Sequence, residues 1–233
     1  MAGDILVLQQ LDIEPPALIG DILATHGHHL DIRHTQRDTL PESLDTYCAM
    51  VVMGGPMSAN DTHETCIRQQ LLLLQQAISI DLPVLGICLG AQLLAKAAGA
   101  SIIPSPQREL GWYPLSRTAE AANDVVFADM PEGQYVFQWH GESFTLPKGA
   151  SLLASNPDVP HQAFRLGSNQ YGLQYHTEVD DTLIQKWIDA GESERQHLGD
   201  AGVAKLIAEN ALYLERARQW CRTMTHAWSK LLA

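Results

Sequence analysis

The sequence predicts an α/β fold: a mostly parallel central sheet flanked by helices on both faces, followed by a helical C-terminal end. Three observations carry that expectation. Short, near-continuous apolar runs such as "ILVL" and "MVVM" read as strands buried on both faces. Longer segments with helical periodicity separate them, so strand and helix alternate through the first half. After Asp181 the strand signals stop and the pattern stays helical.

Taken in order, "DILVLQQ" from Asp4 to Gln10 is the first strand. A helix from about Pro15 to His26 follows, opened by prolines whose missing N–H is no loss in a first turn. "HLDIRH", around Leu30 to His34, and "CAMVVMGG", around Ala49 to Met53, give two more strands. "ETCIRQQLLLLQQAISI", Glu64 to Ile80, is a long helix, and "PVLGI" is the strand after it. The second half offers "YVFQWH", "SLLAS", "HQAFRL" and "YGLQYH" as short strands, separated by the turn-rich "GESFTLPKG", "NPDVP" and "GSNQ". "DDTLIQKWIDA" is helical, and a longer helical region runs from about Gly202 to Leu232, with a break expected near Cys221. No repeat or linker divides the chain, so residues 1–233 are read as a single domain.

Composition excludes several classes of function. Fifteen Lys and Arg against 27 Asp and Glu give a net charge of -12, with no basic cluster, which disfavours nucleic acid. No run approaches the roughly 18 apolar residues of a membrane span. The start "MAGDILVLQQ" has no basic region before its apolar stretch, so no signal peptide and a cytoplasmic location are expected. Cys48, Cys66, Cys88 and Cys221 show no zinc-ligand spacing and are read as reduced thiols. His26, His28, His29 and His34 cluster in "THGHHLDIRH", but they span a helix end and a strand without a Cys or carboxylate partner, so no metal is assigned.

The chemistry concentrates in "VLGICLGAQLLAKAAGA", Val84 to Ala100, which begins as a strand and ends as a helix. Gly86-Ile87-Cys88-Leu89-Gly90 is the cysteine counterpart of a nucleophile elbow, a sharp strand-to-helix bend that lifts its central side chain above the sheet. Flanking glycines suit the close approach of strand and helix. The helix N-terminus would favour thiolate, lowering the reference value of about 8.5. Taken alone, the same pattern also fits a buried structural cysteine between packing glycines. A thiolate nucleophile needs an imidazole and a carboxylate to orient it. "YGLQYHTEVD" supplies His176 and Glu178, two apart on an extended segment and so on one side of it.

"GICLGAQLLA", "YGLQYHTEV" and "VVMGGPMSA" together resemble the three signatures of the class I glutamine amidotransferases, in that family's chain order. The likeness is greatest to the amidotransferase domain of GMP synthetase and its stand-alone relatives, and it implies their flavodoxin-like arrangement. It implies that Cys88 attacks a γ-amide, that His176 protonates the leaving ammonia and activates water, and that Glu178 holds the His176 ring. Gly55 in "MGGPMS" and Leu89 would donate backbone N–H groups to the oxyanion. Gln92, one helical turn past Cys88, would contact substrate, and "QWHGESF" would line the substrate pocket through His140, Gly141 and Glu142. "RELGW", Arg108 to Trp112, resembles another family stretch and receives no chemistry.

The resemblance calls for no cofactor. It implies a small-molecule substrate, glutamine or another γ-glutamyl compound, and a synthetase partner to receive ammonia. The sequence departs from the family at Thr177, where the family carries proline, and it has no ATP-binding loop of the G-x-x-x-x-G-K-[ST] kind. Three readings follow: a glutaminase serving a separate synthetase, a stand-alone γ-glutamyl peptidase, or a catalytically silent regulatory subunit. The intact Cys88, His176 and Glu178 set argues against the last. A different cysteine enzyme on a similar fold would not need the His-x-Glu pair.

Overall fold

The computed structural model describes residues 3–232. Its first half alternates β1 (Asp4–Gln9), α1 (Ala17–Thr25), β2 (Leu30–His34), β3 (Tyr47–Val52), α2 (Thr65–Ser79), β4 (Val84–Ile87) and α3 (Leu89–Ala97). The second half is strand-rich: β5 (Ile102–Arg117), β6 (Gln134–Phe144), β7 (Ser151–Ser155), β8 (Ala163–Leu166) and β9 (Gln170–Leu173). Helices α4 (Asp181–Ala190) and α5 (Glu192–Ser229) end the fold.

All nine strands join one sheet in the order β2-β1-β3-β4-β9-β8-β7-β5-β6. The block from β2 to β9 is parallel, and β8, β7, β5 and β6 extend it antiparallel. Period-two alternation explains how the parallel block buries both faces. On β1, Ile5 and Val7 join Leu18, Ile19, Trp220 and Trp228 on one side, where α1 and α5 pack. Leu6 and Leu8 face the other side, with Ile67, Leu74, Leu93 and Leu94 from α2 and α3. The expected helices on both faces and helical C-terminal end are therefore present.

Two features depart from the sequence reading. The C-terminal helical run is continuous through Cys221 and is kinked instead at Gly199, whose φ of 62° and ψ of 171° are non-helical. Cys221 lies fully buried mid-helix, so nothing interrupts the chain there. The 16-residue strand β5 contains Pro104, Pro106 and Pro114, residues that argue against a strand. It tolerates them because its ladder to β7 involves only Ser116 and Arg117, leaving most of its length paired on one side, and because its pairing with β6 is irregular between Pro104 and Glu109.

Candidate active site

The groups singled out in the sequence meet at the C-terminal ends of the parallel strands, where open α/β sheets bind ligands. Cys88 joins β4 to α3 with φ 51° and ψ -106°, a conformation rare for a non-glycine residue and held here by its surroundings. Its N–H donates to the Leu173 carbonyl of β9 at 2.7 Å, and its carbonyl accepts from Gln92 N–H at 3.0 Å. The glycines on either side are sterically required. A Cβ on Gly86 would lie 2.6 Å from the Gly90 backbone, and one on Gly90 would lie 2.0 Å from the Val52 carbonyl oxygen. The bend is thus the close crossing of strand and helix that the motif predicts.

His176 and Glu178 follow β9, which ends earlier than expected, at Leu173. His176 is instead fixed by an isolated antiparallel bridge: its N–H donates to Phe137 O at 2.8 Å, and Phe137 N–H donates to His176 O at 3.1 Å. The His176 Nδ1 lies 2.6 Å from Glu178 Oε1, and both side chains are buried. Burial works against a charged His176. The Glu178 carboxylate and the Cys88 side chain outweigh it and raise the imidazole well above its ordinary value. Thr177 contributes through its backbone: its N–H donates to Glu178 Oε2 at 2.9 Å, a bond the family's proline could not make.

Gly54 and Gly55 close the site from the end of β3. A Cβ on Gly54 would fall 3.0 Å from His176 Cε1 and 3.5 Å from Cys88 Cβ. One on Gly55 would fall 3.0 Å from Leu89 Cδ2, which places Gly55 beside the first residue of α3. Among the described residues, neither the Gly55 nor the Leu89 N–H is bonded to a backbone carbonyl. Both donors are therefore uncommitted at the elbow.

Gln92 turns its amide along the opposite wall. Its Nε2 donates to Glu142 O at 3.0 Å and to Gln174 Oε1 at 3.2 Å, while Gln174 Nε2 stands 3.8 Å from Cys88 Sγ. His140 lies on β6 as expected, and Gly141 and Glu142, read as part of a turn, continue the same strand. Together with Gly55, Cys88, Gln92 and His176 they border one cavity of about 490 Å³.

Two carboxyl groups, one behind the cavity wall and one in it, received no role from the sequence. Glu109, inside "RELGW", is wholly buried and binds His140 Nε2 at 3.0 Å, Asn156 Nδ2 at 2.7 Å and Gln162 Nε2 at 2.8 Å. The other ring nitrogen of His140 lies 3.0 Å from Glu142 O, so Glu109 fixes the strand segment that walls the cavity. No local signal marked Glu109, because its partners Asn156 and Gln162 come from distant segments. Glu14, in the loop after β1, also borders the cavity. The four histidines of "THGHHLDIRH" lie apart from this site, His29 beside Asp4 and His26 beside Ser229 and His226.

A strained cysteine at a strand-to-helix elbow, facing a buried imidazole and carboxylate under a glycine loop, defines a class of protein. The family model for class I glutamine amidotransferases matches residues 18–189, and the chain belongs to that family. Among individual relatives, the chain is 33% identical over 174 residues to the glutamine amidotransferase-like protein YfeJ of Salmonella typhimurium, covering 73% of this chain and 72% of that one. It is 35% identical over 142 residues to the glutamine-hydrolysing GMP synthase of Porphyromonas gingivalis, covering 60% of this chain but only 26% of that enzyme. The crystal structure of a glutamine amidotransferase from Thermotoga maritima superimposes with a TM-score of 0.87 at 26% identity, over 100% of this chain and 99% of that one.

Proposed function

We propose that the protein hydrolyses a γ-glutamyl amide through a γ-glutamyl thioester on Cys88. The observation that carries this reading is the 2.6 Å contact between His176 and Glu178 beside a cysteine presented at a strained elbow. Cys88 Sγ, its proton already passed to His176, attacks the amide carbonyl carbon. The tetrahedral oxyanion accepts hydrogen bonds from Gly55 and Leu89, each preorganised donor contributing about 3 kcal/mol. His176 passes its proton to the amide nitrogen, the C–N bond breaks, and ammonia or an amine leaves. A water molecule, deprotonated by His176, then cleaves the thioester to release glutamate and restore the thiol.

Glutamine is the simplest substrate for this chemistry, and a relative described as glutamine-hydrolysing supports it. In that reading ammonia passes to a separate synthetase. The cavity of about 490 Å³ favours a second reading, in which larger γ-glutamyl compounds are cleaved without a partner, because that volume suits ligands bigger than one amino acid. Ammonia or amine release should be measured from glutamine and a panel of γ-glutamyl amides, with wild type beside Cys88→Ala. Turnover is expected in wild type and its loss in the variant. An electrophilic glutamine analogue should modify Cys88 alone; modification of Cys48, Cys66 or Cys221 instead would defeat the assignment.

A further inference from the structure

The chemistry above leaves one group in the cavity wall unused. Glu14 sits in the loop between β1 and α1, and its Oε2 is buried with no hydrogen-bond partner. Its position is held rather than accidental. The Glu14 N–H donates to Leu11 O at 3.0 Å, Trp187 Nε1 donates to Ile13 O at 2.7 Å, and Leu18 N–H donates to Glu178 O at 3.3 Å. Ala17, three residues on, is locked at a positive φ of 42°. An unpaired carboxyl oxygen retained in a pinned loop is costly unless something occupies it.

Its place relative to the reacting atoms follows from its neighbours. Trp187 packs edge-on against His176 with ring centroids 4.6 Å apart and binds the carbonyl of Ile13, so the loop lies on the imidazole side. Gln92, whose amide binds Glu142 O, borders the same cavity without a hydrogen bond to that loop. In a mechanism where His176 protonates the departing nitrogen, the imidazole side receives the leaving amine. Arg108 is the one Lys or Arg among the described residues bordering the cavity, and it is already paired with Glu194. Among the described residues bordering the cavity, no free Lys or Arg therefore answers Glu14, and the positive charge acting on it comes from His176.

Resting on the γ-glutamyl hydrolase reading, we infer that Glu14 is a specificity-determining residue that receives a second, positively charged amine on the leaving group. The preferred substrates are then γ-glutamyl amides of diamines, ahead of amides whose leaving group is uncharged or carries a carboxylate. Burial raises the Glu14 carboxyl to about 7, the Glu178 charge adds to that rise, and His176 opposes it. An arriving ammonium would meet the part of the carboxyl that borders the cavity and favour the ionised carboxylate.

The test uses the γ-glutamyl amide of 1,4-diaminobutane, its uncharged pentylamine analogue, and γ-glutamylalanine. Wild type should favour the diamine amide over the pentylamide in kcat/KM, and Glu14→Gln should reduce that ratio about tenfold, as expected for losing a charge-assisted contact. Affinities for the same amides measured on Cys88→Ala, with and without Glu14→Gln, should show the same change in ratio without turnover. Hydrolysis of γ-glutamyl amides with no preference for the diamine amide, or a preference untouched by Glu14→Gln, would overturn this inference and leave the hydrolase reading standing. Failure to hydrolyse any of the amides or glutamine would count against the hydrolase reading, and failure of Cys88→Ala to favour the diamine amide would also remove the role of Glu14.

Discussion

Two carboxyl groups lie close to the His176 imidazole, and they differ in their hydrogen bonds. Glu178 faces Nδ1 through one oxygen and accepts the Thr177 N–H on the other. Glu14 Oε2 has no such donor, and desolvation holds its proton up to about 7 from an ordinary value of 4.5. A raised acid binds its proton more tightly folded than unfolded, so its contribution to stability is present below about 4.5 and is lost as pH rises through about 7. Glu14→Gln carries no such titration. Denaturant unfolding should show wild type losing stability relative to this variant, by at most about 3 kcal/mol, between those pH values. A pH-independent difference would mean that the Glu14 carboxyl is not raised by burial.

At the scale of elements, the sequence was most readable where local signals and burial agree. Strands β1, β3 and β4 are apolar runs bounded by turns, and α2 carries a clear periodicity. Gly86, Cys88 and Gly90 were legible because their spacing encodes a steric requirement, namely the crossing of Gly90 over Val52. β5 was hidden, since its three prolines are acceptable only in a strand paired largely on one side, which is a tertiary fact. Glu109 and Glu14 were hidden for a related reason: their partners, or lack of partners, come from distant segments. The kink at Gly199 was missed because the long helix was read from about Gly202, whereas it starts at Glu192 and includes that glycine. Its φ and ψ are nearly exclusive to glycine, and a Cβ there meets nothing within 4 Å. Gly199→Ala should therefore lower stability through backbone strain alone, by about 1–3 kcal/mol in thermal or denaturant unfolding. An unchanged stability would show that α5 can straighten at no cost.

At the scale of the whole molecule, α5 ties the layers together. Trp220, Met224 and Trp228 pack under the parallel strands, and earlier turns of the helix meet β6, β5 and α4. Asn210 holds a junction of three elements: its Oδ1 accepts from Trp112 Nε1 of β5 at 2.8 Å, and its Nδ2 donates to Asp181 Oδ1 of α4 at 2.8 Å. Asn210→Ala leaves the buried indole N–H without its acceptor. A loss of about 1–3 kcal/mol is expected in equilibrium unfolding, the cost of an unsatisfied buried donor. A negligible change would mean that water reaches Trp112 in the variant.

The reciprocal bridge between Phe137 and His176 has a consequence for how this molecule breathes. It is a clasp between the antiparallel hairpin and the exit of the last parallel strand. Any fluctuation that peels β6 away must undo both bonds and release the chain that carries the imidazole. The placement of His176 is thereby tied to the closure of one seam rather than to the melting of the whole, because local openings occur at lower free energy than global unfolding. A load on that seam would move His176 without touching Cys88.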